Sequence, residues 1–138
     1  MRTRTMKPLF LIFCLCLSPL LMGQNQNKIQ EAMANYDYKT VIRLIDEESA
    51  SPQLLIQKAK ALKGLGRTAE ALSTLQHIII ELPENQQALV EAAECCRQLS
   101  KFNEALGYYR KVMELNPEHI YAHLQYCLLY TSDAADDK

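Results

Sequence analysis

Apolar residues return at intervals of three and four through two consecutive stretches of this chain, and each stretch divides into a pair of amphipathic helices. In Pro52–Asn85, Leu55, Ala59, Leu62 and Leu65 share one helical face. The pattern breaks at Gly64-Leu65-Gly66, where a glycine can take the left-handed backbone angles that end a helix. A second helix follows with Ala71, Leu72, Leu75, Ile78 and Ile79 inward, and Pro83 stops it, because proline lacks the amide donor and clashes with the preceding turn. Ser51-Pro52 gives the first helix a hydroxyl cap and a first-turn proline. Gln86–His119 repeats the plan: Leu89, Ala93, Cys96 and Leu99, a turn at Ser100-Lys101, then Ala105, Leu106, Tyr109, Val112 and Met113, then Pro117.

The two stretches align without a gap at a separation of 34 residues, with identities at Gln53/Gln87, Leu55/Leu89, Ala59/Ala93, Leu65/Leu99, Glu70/Glu104, Ala71/Ala105, Leu72/Leu106, Pro83/Pro117 and Glu84/Glu118. Most of these residues are small, apolar or helix-breaking, so they specify packing rather than chemistry. One hairpin cannot bury both faces of its helices, while a stack of neighbours forms a continuous core. This pattern resembles the tetratricopeptide repeat, a 34-residue helix-turn-helix with W-x2-L-G-x2-Y, then A-x3-F, then P. The second half matches well, through Ala71-x3-Leu75 and Pro83, then Ala105-x3-Tyr109 and Pro117. The first half departs: Leu55 and Leu89 stand for the tryptophan, Lys58-Ala59 and Ala92-Ala93 for Leu-Gly, and Leu62 and Cys96 for the tyrosine. The resemblance implies an all-α fold, a right-handed solenoid of αα-hairpins. An irregular first repeat is expected over 24–51, with Tyr36-Asp37-Tyr38 as its turn and Val41, Ile42, Leu44 and Ile45 as the inner face of its second helix. Regular repeats are expected over 52–85 and 86–119, and the start of another over 120–126.

Both ends stand apart from this pattern. Arg2, Arg4 and Lys7 precede an apolar run from Leu9 to Met22, followed by Gly23, which is the layout of a secretory signal over residues 1–23. The run is short for a bilayer and is interrupted by Pro19, so cleavage after Gly23 would leave no integral membrane span. The glutamine after the cut resembles signal sequences of the Bacteroidetes, which implies export to the periplasm or envelope of a diderm bacterium. At the other end, Cys127–Asp137 resembles one reading frame of a transposase adapter used in sequencing libraries, so residues 127–138 are expected to be non-native.

Charge adds little. Fifteen Lys and Arg against sixteen Asp and Glu leave a net charge of −1, with no basic stripe for nucleic acid. His119 and His123 have the spacing of two metal ligands on one helical face, and Cys127 would extend it. No glutamate follows His119 as a zinc-peptidase motif requires, so no metal site is assigned. Cys95-Cys96 point in different directions on a helix and read as core packing rather than a redox pair. No glycine loop for phosphate and no catalytic set stands out, and no cofactor is expected.

What the resemblance implies instead is a surface. In the family the first helix of each unit lines a concave groove at its second, fifth, ninth, twelfth and thirteenth positions. Carried over, these are Gln53, Ile56, Lys60, Lys63 and Gly64, then Gln87, Val90, Glu94, Arg97 and Gln98. A mildly basic groove with apolar spots at Ile56 and Val90 implies a protein or peptide partner, taken as an extended segment or a helix. The chaperone-tail clamp of some relatives needs lysine and asparagine at the fifth and ninth positions. Ile56 with Lys60 and Val90 with Glu94 do not supply it. The expected function is a non-enzymatic scaffold of the cell envelope. The alternative is the helical-repeat front of an exported enzyme.

Overall fold

The computed structural model describes residues 23–48 and 51–136, and there every regular element is an α-helix. Helix α1 occupies 23–34 of the described residues. It is followed by α2 (Tyr38–Asp46), α3 (Pro52–Gly64), α4 (Thr68–Glu81), α5 (Gln86–Gln98), α6 (Phe102–Leu115) and α7 (Ile120–Asp136). The export signal expected over 1–23 lies outside the described residues except for Gly23. Helix α7 passes Tyr126 without a break.

The period seen in the sequence recurs in the turns. Tyr36, Gly66 and Ser100 each take a positive φ, of 58°, 76° and 59°. In each case the next residue's amide reaches back five positions: Asp37 to Ala32, Arg67 to Leu62, and Lys101 to Cys96, at 2.8–2.9 Å. A left-handed residue closed by this long bond is the Schellman ending of a helix. The spacing from Ser100 back to Gly66 is one full repeat, while Tyr36 sits four residues closer, so the first unit is short. Only Gly66 avoids the steric cost of the left-handed region, which is roughly 1–2 kcal/mol for other residues. Ser100→Gly is therefore expected to stabilise the fold by ~0.5 kcal/mol, the remainder being lost to extra freedom in the unfolded chain. A urea midpoint at or below that of the parent chain would contradict this.

Helix starts repeat as well. Ser51 Oγ accepts from the Leu54 amide at 3.3 Å and Asn85 Oδ1 from the Ala88 amide at 3.0 Å. His119 Nδ1 accepts from the Ala122 amide at 3.2 Å. These three residues occupy the same repeat position and cap α3, α5 and α7. Each satisfies one of the amides that a helix start leaves free.

Packing places each first helix between two hairpins. α3 contacts α2, α4 and α5, while α5 contacts α3, α4 and α6. A large core joins α3 to α7 through Ile56, Ala59, Leu62, Leu75, Leu89, Ala93, Cys96, Tyr109, Val112 and Ala122. A smaller one joins α1 and α2 to α3 through Ile29, Val41, Ile45, Leu54 and Ala61. The expected inner residues of the first unit divide, with Val41 and Ile45 buried and Ile42 and Leu44 half-buried. Being enclosed on both flanks, α3 buries more than the single stripe that the spacing of its apolar residues predicts.

Candidate interaction groove

Alternate helices α3, α5 and α7 share a polar face, built from the residues their packing leaves free. Lys60 and Lys63 project from α3 toward α5 and both meet Glu91, at 3.2 and 2.8 Å. One turn further on, Arg97 reaches Glu94 at 2.8 Å. The two carboxylates are the sheltered members, with side chains only 16% and 12% exposed. Gln53 and Gln87, one repeat apart, meet amide to amide at 3.4 Å. Gln98 accepts from the Thr68 hydroxyl at 3.2 Å, across to the start of α4.

Glu94 is the most heavily engaged group on this face. Besides Arg97 it accepts the phenol of Tyr109 from α6 and that of Tyr121 from α7, each at 2.5 Å. Burial opposes its charged form, but the bonds from Tyr109, Tyr121 and Arg97 outweigh burial and hold its carboxyl below the ordinary value of 4.5. Burial first, then the bond to Glu94, pushes the Tyr109 phenol well up, and Tyr121 up to about 12. Both phenols therefore stay protonated donors throughout the neutral range. Glu94 ties three helices together: its own α5, α6 and α7.

One expectation changes here. Ile56 is not an apolar spot in the groove. It is fully buried in the main core, so no partner can reach it. Val90 at the matching position is half-buried against the same core. Of the other expected residues, Gln53, Lys60, Lys63, Gln87, Glu94, Arg97 and Gln98 take part in these pairings, while Gly64 ends α3 with the Tyr38 ring where a Cβ would lie. Those that pair bond mostly to one another or to Glu91. Glu91 and Tyr121 were missed from sequence, although the three- and six-residue offsets from Glu91 to Glu94 and Arg97 were there to be read.

Other candidate chemistry is accounted for by packing. His119 caps α7, and His123 Nε2 lies 2.8 Å from the Pro117 carbonyl. Cys95 and Cys96 are buried, and burial pushes both thiols up to about 11, so neither is an available thiolate at neutral pH. Among the described residues no three His, Cys, Asp or Glu side chains cluster as a metal site would require. Among them, too, no helix is long and apolar enough to cross a membrane.

Comparison with known proteins agrees with this fold. A family model of the tetratricopeptide repeat matches residues 86–119, the second regular unit. A 61-residue stretch is 34% identical to the Vi polysaccharide biosynthesis protein TviD of Salmonella typhi. That stretch is 44% of this chain but only 7% of TviD, so the chain spans a small part of that relative. Among solved structures, the first TPR of Spaghetti (RPAP3), bound to the HSP90 peptide SRMEEVD, superposes with a TM-score of 0.70 at 21% identity, over 80% of this chain and 90% of that one. A tetratricopeptide repeat protein from Parabacteroides merdae gives a TM-score of 0.62 at 26% identity, over 83% of this chain and 43% of that one. The fold is an all-α helical-repeat solenoid of the tetratricopeptide type, and the match over 86–119 supports that family.

Proposed function

We propose that this chain is a protein–protein interaction scaffold of the bacterial cell envelope, holding a peptide segment or partner helix on the face shared by α3, α5 and α7. The observation that carries this reading is the pairing of polar side chains between neighbouring first helices. Gln53 with Gln87, and Lys60 and Lys63 with Glu91, make a continuous strip along the solenoid. A similar fold, the first TPR of RPAP3, holds an HSP90 peptide. Here the strip has no unpaired pair of lysines to grip a chain-terminal carboxylate, so a different peptide chemistry is expected.

A displayed library of random twelve-residue peptides, selected on the whole chain, tests this. Selected peptides are expected to shift amide resonances of α3, α5 and α7, and to lose roughly tenfold in affinity on Arg97→Glu, which places two acids side by side. Peptides that shift only α2, α4 and α6 would overturn the groove. The envelope location has its own check: the mature protein is expected to begin at Gln24, read by mass spectrometry of the periplasmic and envelope fractions. The intact amino terminus found in the cytosol would contradict it.

A second reading, in which these hairpins are the repeat region of an exported enzyme, draws on TviD. The matched stretch there is a small part of a much longer protein. Recovery of a longer reading frame separates the two. Further 34-residue units favour the scaffold, and a non-repeat domain favours the enzyme.

A further inference from the structure

The polar strip ends on an apolar step. At the start of α7, Ile120 is 82% exposed, Leu124 53% and Tyr121 42%, and all three precede Cys127. At about 100° per residue they fall within roughly a third of the helix circumference, so they form one face. Ala122 and Leu129 dock α7 on the main core from the other side of the helix. Single apolar residues on a surface are ordinary, but a group of them on one face marks a place of contact.

A hydrogen bond fixes where this step lies. The Tyr121 phenol donates to Glu94 Oε1 on α5, and the other oxygen of the same carboxylate holds Arg97. Glu94 therefore sets a guanidinium and an aromatic ring side by side, at the junction of strip and step. Arg97 is not used up by this pairing. Its Nε and Nη2 both point at the single atom Glu94 Oε2, at 3.2 and 2.8 Å, which leaves Nη1 without an acceptor among the described residues. The strip also turns its positive ends outward. Lys60 and Lys63 are more exposed than the Glu91 they share, and Arg97 is 43% exposed against 12% for Glu94. An approaching carboxylate meets cations first, whereas a basic segment would be repelled.

We propose, resting on the scaffold reading above, that Arg97, Tyr121 and Leu124 form one composite site for an amphipathic helix of the partner. That helix sets an Asp or Glu on Arg97 and, one turn away, a large apolar side chain against Tyr121 and Leu124. The apolar contact supplies most of the affinity, because the polar groups of the strip are already bonded to one another and gain little from a new partner. The carboxylate fixes the register. Tyr121 and Leu124 lie one turn apart on α7, a spacing that apolar residues three or four apart on a partner helix reproduce.

Peptides selected on the whole chain carry the test. They are expected to hold Asp or Glu three or four residues from Leu, Ile or Phe, and to gain helical circular dichroism on binding. Leu124→Ser should weaken them at least about tenfold while melting within about 2 °C of the parent, since an exposed position contributes little to folding. Exchanging the peptide's acid for its amide should cost about fivefold on the parent and less than about twofold on Arg97→Gln. Should Leu124→Ser misfold, replacing the peptide's apolar residue by alanine on the parent chain gives the same readout, and unchanged binding there refutes the step. Peptides that shift α3 and α5 resonances yet ignore both Leu124→Ser and Arg97→Gln sink the composite site and leave the groove standing, as do peptides that bind without gaining helix. Peptides that shift only α2, α4 and α6 remove the groove as well. A second copy of the chain is the competing occupant: sedimentation showing a dimer for the parent and a monomer for Leu124→Ser would assign the step to self-association and overturn the proposal.

Discussion

Tyr109→Ala is expected to remove a large part of the stability of this fold. Tyr109 is the largest fully buried side chain, set in α6 with its ring in the main core. Truncating a buried aromatic residue to alanine typically costs about 3–5 kcal/mol, part in lost transfer energy and part in the cavity left behind. A chain of this kind has on the order of 5–15 kcal/mol in total. The variant should therefore melt well below the parent. Tyr109→Phe separates the ring from its hydroxyl. It keeps the packing and withdraws one donor from Glu94, for a loss of about 1.5–3 kcal/mol, the range for hydrogen bonds to charged groups. The sign of the pH dependence follows from Glu94. Its folded carboxyl sits below the ordinary 4.5, so its contribution is complete at neutral pH and is lost as pH falls below that value. Urea titrations at pH 7 and pH 3 should show the gap between parent and Tyr109→Phe narrowing at the lower pH. A gap of equal size at both would mean that the phenol does not act through a charged Glu94.

The same residue shows how far the sequence can be read. Tyr109 was visible as the large member of Ala105-x3-Tyr109, so its place in the core followed from spacing. Its hydroxyl bond did not, because Glu94 lies fifteen residues earlier on another helix, and pairs that distant follow only from the assembled stack. Turns and breakers were legible for the opposite reason: the Gly66 ending and the Ser51 cap are decided by a few adjacent residues. The Ser100 turn was legible through its register with Gly66 rather than through its own chemistry. His119 illustrates a different limit. Its spacing from His123 suggested metal chemistry, while the structure makes it a cap in the same repeat register as Ser51 and Asn85. The repeat period was the better guide because each unit imposes the same demand on its helix start. The polar strip was legible residue by residue, but its mutual pairing was not. Glu91 falls outside the groove positions carried over from the family, and it is Glu91 that neutralises two lysines at once.

Ile56 tests where that family analogy fails. It and Val90 occupy the same position in consecutive repeats, and both were expected to face a partner. The structure separates them. Ile56 is fully buried in the main core, whereas Val90 lies half-buried against it. Equivalent positions in consecutive repeats therefore do not have equal exposure. Ile56→Asp would place a carboxylate at a position fully buried in the apolar core. The expected loss is more than ~4 kcal/mol, as for other unpaired buried charges. Val90→Asp should cost about 1 kcal/mol, because its carboxylate can turn to water. Thermal melts of the two variants, side by side, make the comparison free of assumptions about any ligand. Were Ile56 a partner contact, Ile56→Asp would melt with the parent and fail only in binding. An Ile56→Asp chain that stays folded within a few degrees of Val90→Asp would put the residue back on the surface and open the strip by one apolar site. On the packing seen here, the variant instead loses the junction between the first two regular hairpins, and with it the frame that aligns Gln53 with Gln87.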